Sequence, residues 1–149
     1  MKLTTEEREK WVALLMGVKF FANFSYEELG SLLDAGEVMH YKLHDYVIKE
    51  SEEANSSTFF VILKGMVKVL KNDHFRQKKE LVTINAGDCF GEMAFLLNAP
   101  RTASILAVED CFIFMVSSKE ADSMADPTRV KLYRQFAISL AERLSRIGS

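Results

Sequence analysis

The stretch FGEMAFLLNAPRTASILA, residues 90–107, carries a lone acidic side chain and a lone basic side chain around an apolar run. Glu92 precedes the run, and Arg101 follows Pro100, which ends it. A guanidinium presents a planar fork of donors that fits two phosphate oxygens, and an ionised carboxylate accepts hydrogen bonds from sugar hydroxyls. Gly91 allows a ligand to approach the backbone N–H groups at the start of a short helix. These residues predict a ribose phosphate site, and the alternative is a surface salt bridge between Glu92 and Arg101.

Two helices are predicted at the beginning of the chain, over residues 4–35. Thr4 with Glu7, and Ser25 with Glu28, match the capping box that begins a helix. Apolar residues follow each box at the spacing of one helix face, so both helices are expected to pack against the next part of the chain.

Residues 37–117 contain short runs rich in β-branched and aromatic residues. The runs recur at the spacing of about 8 to 12 residues that is typical of a sandwich or barrel. We therefore predict an α+β fold that is mainly β: an antiparallel jelly-roll-like barrel flanked by N-terminal helices and a C-terminal helix. The segment GEMAFLL consists of good helix formers, so a helix over residues 91–98 is predicted as an insertion in this barrel.

The last predicted helix covers residues 127–147. It begins at a cap, Asp126, followed by a first-turn proline, Pro127. Six apolar positions in it alternate in spacings of three and four residues and form a seam: Val130, Tyr133, Ala137, Leu140, Leu144 and Ile147. Such a seam is typical of a coiled coil and predicts a homodimer through this helix, whereas a monomer would bury the same residues on the barrel.

Composition limits the classes of protein to which the chain can belong. Its 149 residues, of which 48% are hydrophobic and 27% charged, predict a single domain over residues 1–149. The net charge of −2 argues against nucleic-acid binding by this chain, and no apolar stretch has the length of a membrane span. We expect a cytoplasmic protein that does not bind membranes, with Cys89 and Cys111 as buried, reduced thiols.

Catalysis and metal binding find little support in the sequence. His40 and His44 are four residues apart, but the third histidine, His74, lies in a charged turn, so a metal site like that of a cupin enzyme is not expected. The motifs of serine hydrolases, zinc proteases and nucleotide-hydrolysing P-loops are absent from the sequence. We predict no catalytic residues, no metal and no cofactor.

The stretch from Phe90 to Ala107 resembles the phosphate-binding cassette of the cyclic-nucleotide-binding domain family, which includes catabolite activator proteins and regulatory subunits of cyclic-AMP-dependent kinase. Two further segments extend the resemblance: LKGMVKV around Gly65 is similar to the glycine between two barrel strands, and AGDCFGE to the approach to the cassette. In the turns around its second strand the family usually has glycines, whereas this chain has LHDYVIKESEEA, with Asp45 and Ser51 in those neighbourhoods. We expect this departure to alter the shape of loops and to leave the pocket intact.

The resemblance implies a role for each residue of the site. Glu92 would bind the ribose 2′-hydroxyl, and Arg101 would bind the cyclic phosphate. The complete set of expected ligand-binding residues is Phe90, Gly91, Glu92, Met93, Ala94, Arg101, Thr102 and Ala103. The base would be covered by residues of the last helix, for which the candidates are Tyr133, Arg134, Phe136 and Leu140. A hydroxyl residue after the arginine, here Thr102, accompanies acceptance of guanine in the family.

The resemblance thus implies a regulatory module that binds cyclic AMP or cyclic GMP and transmits binding to its C-terminal helix. We expect both nucleotides to bind, with cyclic AMP as the physiological ligand. The alternative is a member of the same fold that has lost its ligand and acts as an interaction or dimerisation module. The downstream effector is left open by the sequence.

Overall fold

The computed structural model describes residues 3–49, 57–72, 78–97 and 103–148. The helices are α1 (Thr5–Met16), α2 (Tyr26–Ala35), α3 (Glu92–Leu97), α4 (Ser118–Asp122) and α5 (Asp126–Gly148). The strands are β1 (Glu37–Tyr41), β2 (Tyr46–Ile48), β3 (Thr58–Lys64), β4 (Met66–Asn72), β5 (Lys78–Asn85), β6 (Cys89–Phe90), β7 (Ser104–Ala107) and β8 (Cys111–Ser117). This order confirms the predicted fold class, which is mainly β with helices at both ends.

The strands form two antiparallel four-stranded sheets. Sheet 1 has the order β1–β8–β3–β6, and sheet 2 has the order β2–β7–β4–β5. Apart from β4 and β5, which follow each other in the chain, neighbours in each sheet are distant in sequence, as in a jelly roll. Over the described ranges the two sheets are not joined into a closed barrel. The inserted helix α3 follows β6 directly, so it begins at an edge of sheet 1.

Strand β3 is buried on both faces, and it divides the core in two. Phe59 and Val61 face a cluster formed with the helices, whereas Phe60 and Ile62 face a second cluster between the two sheets. This division follows from the alternation of side chains along a strand. Sheet 1 is therefore the middle layer, with helices on one face and sheet 2 on the other.

Three aromatic rings join α3 and α5 to this middle layer. Phe136 of α5 contacts Phe59 with ring centroids 4.6 Å apart, and it stacks on Phe95 of α3 at 4.9 Å. All three rings are at most 3% exposed. Burial of an aromatic ring and its edge-to-face contacts are among the larger contributions to core stability. We call Phe59, Phe95 and Phe136 the aromatic junction.

Capping boxes begin α1 and α2, as predicted. The Glu7 N–H donates to Thr4 Oγ1 at 3.1 Å, and the Thr4 N–H donates to the Glu7 carboxylate at 2.9 Å. The same reciprocal pair joins Ser25 and Glu28. The hydrogen bonds to Thr4 lower the pKa of the Glu7 carboxyl group, because they favour its ionised form.

Glu28 also ties α5 to α2. Its carboxylate accepts a hydrogen bond from Lys131 Nζ at 2.7 Å, and Lys131 donates to the Asn23 carbonyl oxygen at 3.0 Å. The Lys131 contact is the largest cause of the lowered pKa of the Glu28 carboxyl group. The first half of α5 is thus held by this ion pair as well as by the aromatic junction.

The turn before β2 is made without glycine. The Asp45 carboxylate accepts a hydrogen bond from the Lys42 N–H at 2.8 Å, and His44 adopts a positive φ of 75°. An Asp side chain that closes a turn onto the backbone can replace a glycine in that role. Ser51, the other departure from the family pattern, lies outside the described residues.

We expect Gly65→Ala to destabilise the fold more than Gly87→Ala does. Both glycines have a positive φ, 104° and 92°, so alanine at either position strains the backbone by about 1 to 3 kcal/mol. A Cβ on Gly65 would also lie 2.5 Å from the Asp110 carbonyl oxygen and 2.7 Å from Cys111 Sγ, whereas a Cβ on Gly87 meets nothing within 4 Å. The overpacking adds about 1 to 3 kcal/mol. Urea unfolding of both variants measures the difference, and equal losses would contradict the close packing around Gly65.

Candidate functional site

A pocket of about 580 Å³ lies between sheet 2 and the segment that joins β6 to α3. Its walls are mainly apolar, and the Glu92 carboxylate and the Arg143 guanidinium bring opposite charges to it. The lining residues are Ile48, Val69, Ile84, Cys89, Phe90, Gly91, Glu92, Met93, Ala94, Leu97, Ala103, Ile105 and Arg143. A concave apolar site of this size with a few polar groups is typical of small-molecule binding.

A sharp change of direction at Gly91 creates one wall of this pocket. Phe90 is buried against Phe60 of β3, with the two rings stacked at 4.8 Å. Gly91 then takes a φ of 89°, which favours glycine, and its carbonyl oxygen accepts the Phe95 N–H at 3.0 Å to begin α3. The chain therefore leaves the sheet and enters the helix within one residue, which brings Glu92 to the pocket.

Helix α3 directs Glu92 and Phe95 inwards and Met93 and Leu97 outwards. Glu92 is only 7% exposed, whereas Met93 and Leu97 are 55% and 65% exposed at the rim of the pocket. A buried carboxylate is costly unless it is paired or hydrogen-bonded. In this structure Glu92 Oε1 forms an ion pair with Arg143 Nη1, from the last turns of α5. The Arg143 side chain remains 45% exposed.

Six of the eight predicted ligand-binding residues line this pocket together: Phe90, Gly91, Glu92, Met93, Ala94 and Ala103. The other two, Arg101 and Thr102, lie outside the described residues. The structure therefore brings together the N-terminal half of the predicted cassette and the residue that follows Thr102. The alternative salt bridge between Glu92 and Arg101 likewise involves a residue outside the described part.

The four base-capping candidates are not among the described residues that line the pocket. Phe136 is 1% exposed because its ring completes the aromatic junction. The Tyr133 hydroxyl donates to Asp122 Oδ1 at 3.0 Å, which directs it towards α4. Arg134 is exposed beside a separate cavity of about 210 Å³, and Leu140 is half-buried. In this conformation, α5 contributes a charged side chain to the pocket instead of an aromatic one.

Arg143 is the charged residue of this pocket that is not predicted from the sequence. Of the basic residues in this helix, only Arg134 is selected, as a candidate to cover the base. The buried positions Leu132 and Phe136 nevertheless define the inner face of α5. Arg143 follows Phe136 by seven residues, which is two helical turns and the same face. The signal for Arg143 in the sequence is its spacing of seven residues from Phe136, which places both residues on the same face of the helix.

Cys89 adds a neutral group to the pocket wall. Burial raises the pKa of its thiol, and the neighbouring Glu92 and Asp88 carboxylates raise it further. Cys111 is buried elsewhere, and its Sγ donates to the Met66 and Glu109 carbonyl oxygens at 3.2 Å. The two cysteines are not joined to each other. Near neutral pH, Cys89 therefore presents an uncharged thiol beside Glu92.

Two further features are absent from the described part of the chain, a metal-binding cluster and a membrane-spanning helix. Among the described residues, no group of three or more histidine, cysteine, aspartate or glutamate side chains could hold a metal ion. His40 stacks on Phe112 at 4.7 Å and lies 3.7 Å from Asp110, and His74 is outside the described ranges. Within the same ranges, no helix combines the length and the apolar character needed to cross a membrane.

Comparison with known proteins gives consistent matches. Residues 38–126 match the family model described as cyclic nucleotide-binding domain. The human cGMP-dependent protein kinase 2 is 34% identical over 122 residues, which are 80% of this chain and 16% of the kinase. The Drosophila melanogaster cAMP-dependent protein kinase type II regulatory subunit is 32% identical over 104 residues, 70% of this chain and 26% of that subunit.

One solved structure shows the likeness of fold. The catabolite activator protein of Thermus thermophilus superposes with a TM-score of 0.75 at 21% identity, over 87% of this chain and 59% of that chain. The chain thus corresponds to a small part of the two curated kinase relatives and to about three fifths of this structural neighbour.

Proposed function

The chain belongs to the cyclic nucleotide-binding domain family, and from this premise we propose that its pocket binds cyclic AMP and cyclic GMP. The observation that carries the proposal is the buried carboxylate of Glu92, set in an apolar pocket beside five other predicted ligand residues. Such a carboxylate suits a ribose hydroxyl, because the hydroxyl can satisfy it without bringing a charge. One relative is named for cGMP and another for cAMP, which agrees with binding of both.

We assign the phosphate to Arg101 and the choice of base in part to Thr102, both outside the described residues. Ala103, the next residue along the chain, lines the pocket. The base would be covered by α5, whose candidates remain Tyr133, Arg134, Phe136 and Leu140. Since these four do not line the pocket in the structure, capping requires a change in the position of α5. Leu140, which lies beyond the aromatic junction, is the candidate that can move without opening it.

In this proposal the chain is a regulatory module and does not catalyse a reaction. Helix α5 contacts the pocket through Arg143, so a ligand that changes the environment of Glu92 also changes a contact of this helix. The module would occupy residues 1–149 as one domain in the cytoplasm, without direct binding to nucleic acid or membranes. Cyclic AMP remains the expected physiological ligand.

The exposed seam of α5 favours a second role, as a dimer interface. Leu144 and Ile147 are 69% and 81% exposed, and Val130 is 62% exposed. These positions belong to the coiled-coil spacing, and a second copy of the same helix offers a matching stripe. If nucleotide binding were absent, dimerisation would be the function that the structure supports next.

Removal of Arg101 is expected to weaken binding most. Arg101→Ala should cost about 2 to 5 kcal/mol, because the phosphate loses its counter-charge within the pocket. Glu92→Gln should cost less, since an amide oxygen still accepts a hydrogen bond. Calorimetric titration with both nucleotides measures these losses. Arg129→Ala, which removes a charge at the far end of α5 where Arg129 pairs with Asp126, is the control. Unchanged affinity in Arg101→Ala would refute the cassette assignment.

Thr102→Ala is expected to weaken cyclic GMP about three- to tenfold and to leave cyclic AMP unchanged. Guanine carries a 2-amino donor that adenine lacks, and one hydroxyl contact to it contributes about 0.5 to 1.5 kcal/mol. The two nucleotides control for each other in the same variant. An equal loss for both would show that the hydroxyl contacts the shared phosphate.

The seam predicts that the chain dimerises at micromolar concentration and that Leu144→Glu prevents it. A charge placed within an apolar interface is left desolvated and unpaired. Ser145→Glu adds the same charge beside the seam and should leave the dimer intact. Light scattering of the three proteins, with and without nucleotide, measures the mass. A monomeric parent under both conditions would contradict the dimer.

A further inference from the structure

Arg143 occupies a place that the proposed ligand also requires. Its guanidinium pairs with the carboxylate of Glu92, and Glu92 is the acceptor assigned to the ribose hydroxyl. The Glu92 side chain is 9% exposed, so little room remains around it for a second partner that approaches from the pocket. A ribose hydroxyl that donates to Oε1 would therefore have to displace the guanidinium from the position that the structure shows.

The two sides of this ion pair differ in how firmly they are held. Glu92 belongs to α3, which Phe95 anchors in the aromatic junction. Arg143 lies in the last turns of α5, where every residue from 141 to 147 is exposed. Phe136 fixes α5 two turns earlier, about 10 Å along the helix axis from Arg143. If the pair separates, we therefore expect the arginine to move and the carboxylate to stay in place.

We propose that Arg143 is a latch that competes with the nucleotide for Glu92. The inference rests on the proposed function of the pocket and adds a residue to it. While the latch is closed, the ion pair holds the end of α5 against α3 and supplies the buried carboxylate with a counter-charge. A nucleotide opens the latch, because its ribose hydroxyl takes over the carboxylate and the guanidinium returns to solvent.

Replacement of the Arg143 contact by a ribose hydroxyl costs little free energy, so a nucleotide can open the latch. The guanidinium is 45% exposed while paired, so its release recovers hydration of a group that is already half in water. Partly exposed ion pairs contribute modestly to stability. The competition is therefore expected to lower nucleotide affinity by about two- to tenfold.

Release of Arg143 would also change the surface that α5 presents. Leu144 follows it directly and Ile147 lies one turn further, both strongly exposed. These residues lie on the end of the helix that the latch holds. Opening the latch thus alters the position of the last part of the seam without a change in the aromatic junction.

The test is calorimetric titration of the full chain with cyclic AMP and cyclic GMP in four proteins: the parent, Arg143→Gln, Glu92→Gln and the double variant. The latch predicts that Arg143→Gln binds both nucleotides about two- to tenfold more tightly than the parent. In the Glu92→Gln background the same substitution should have no effect, because glutamine offers no charge for Arg143 to hold. Arg129→Gln breaks another ion pair of α5, away from the pocket, and should bind like the parent.

The outcomes separate the latch from the function on which it rests. If the parent binds nucleotide and Arg143→Gln binds equally or more weakly, the latch is refuted and the pocket assignment stands. Weaker binding in both backgrounds would mean that Arg143 contacts the nucleotide itself. If neither the parent nor Arg143→Gln binds, the proposed function fails. Thermal melts verify that all variants are folded, and the double variant contains no unpaired buried carboxylate.

Discussion

The packing of two helices on Phe59 determines where the charges of the pocket lie. Phe95 of α3 follows Glu92 by three residues, and Phe136 of α5 precedes Arg143 by two turns. Because both rings contact each other and the middle sheet, the two helices cannot change their spacing at this point without opening the core. The aromatic junction therefore acts as a fixed pivot, and differences between conformations must arise beyond it, in the exposed end of α5.

A buried carboxylate is the second constraint, and it links the pocket to the helix. Gly91 forces the chain from β6 into α3 within one residue, so that Glu92 faces the apolar pocket. A carboxylate in such a place must be satisfied by a counter-charge or by hydrogen-bond donors. A guanidinium from α5 and a hydroxyl from a ligand can both meet this requirement. The neutral Cys89 thiol, whose pKa is raised by burial and by Glu92, meets it less well.

Local patterns in the sequence predict local structure well here and long-range partners poorly. The capping boxes at Thr4 and Ser25 and the mainly β fold are confirmed, because caps and strand alternation depend on neighbours in sequence. The short helix α4 is not predicted, although Ser117 and Glu120 form a capping box. Arg143 is missed for a different reason. Its partner is 51 residues away, and only the register of α5 on the sheet, fixed by Phe136, brings the two together.

Thermodynamic linkage limits how strongly such a latch can couple the pocket to α5. A ligand shifts a conformational equilibrium only by the difference in its affinity for the two states, and the coupling is reciprocal. Here that difference is the strength of the Glu92–Arg143 ion pair relative to the hydroxyl contact that replaces it, and the expected two- to tenfold competition corresponds to about 0.4 to 1.4 kcal/mol. Any partner that draws the end of α5 away from α3 must raise nucleotide affinity by the same factor. A larger response would require α5 to move as a whole, with loss of contacts in the aromatic junction, and the burial of Phe136 opposes that movement.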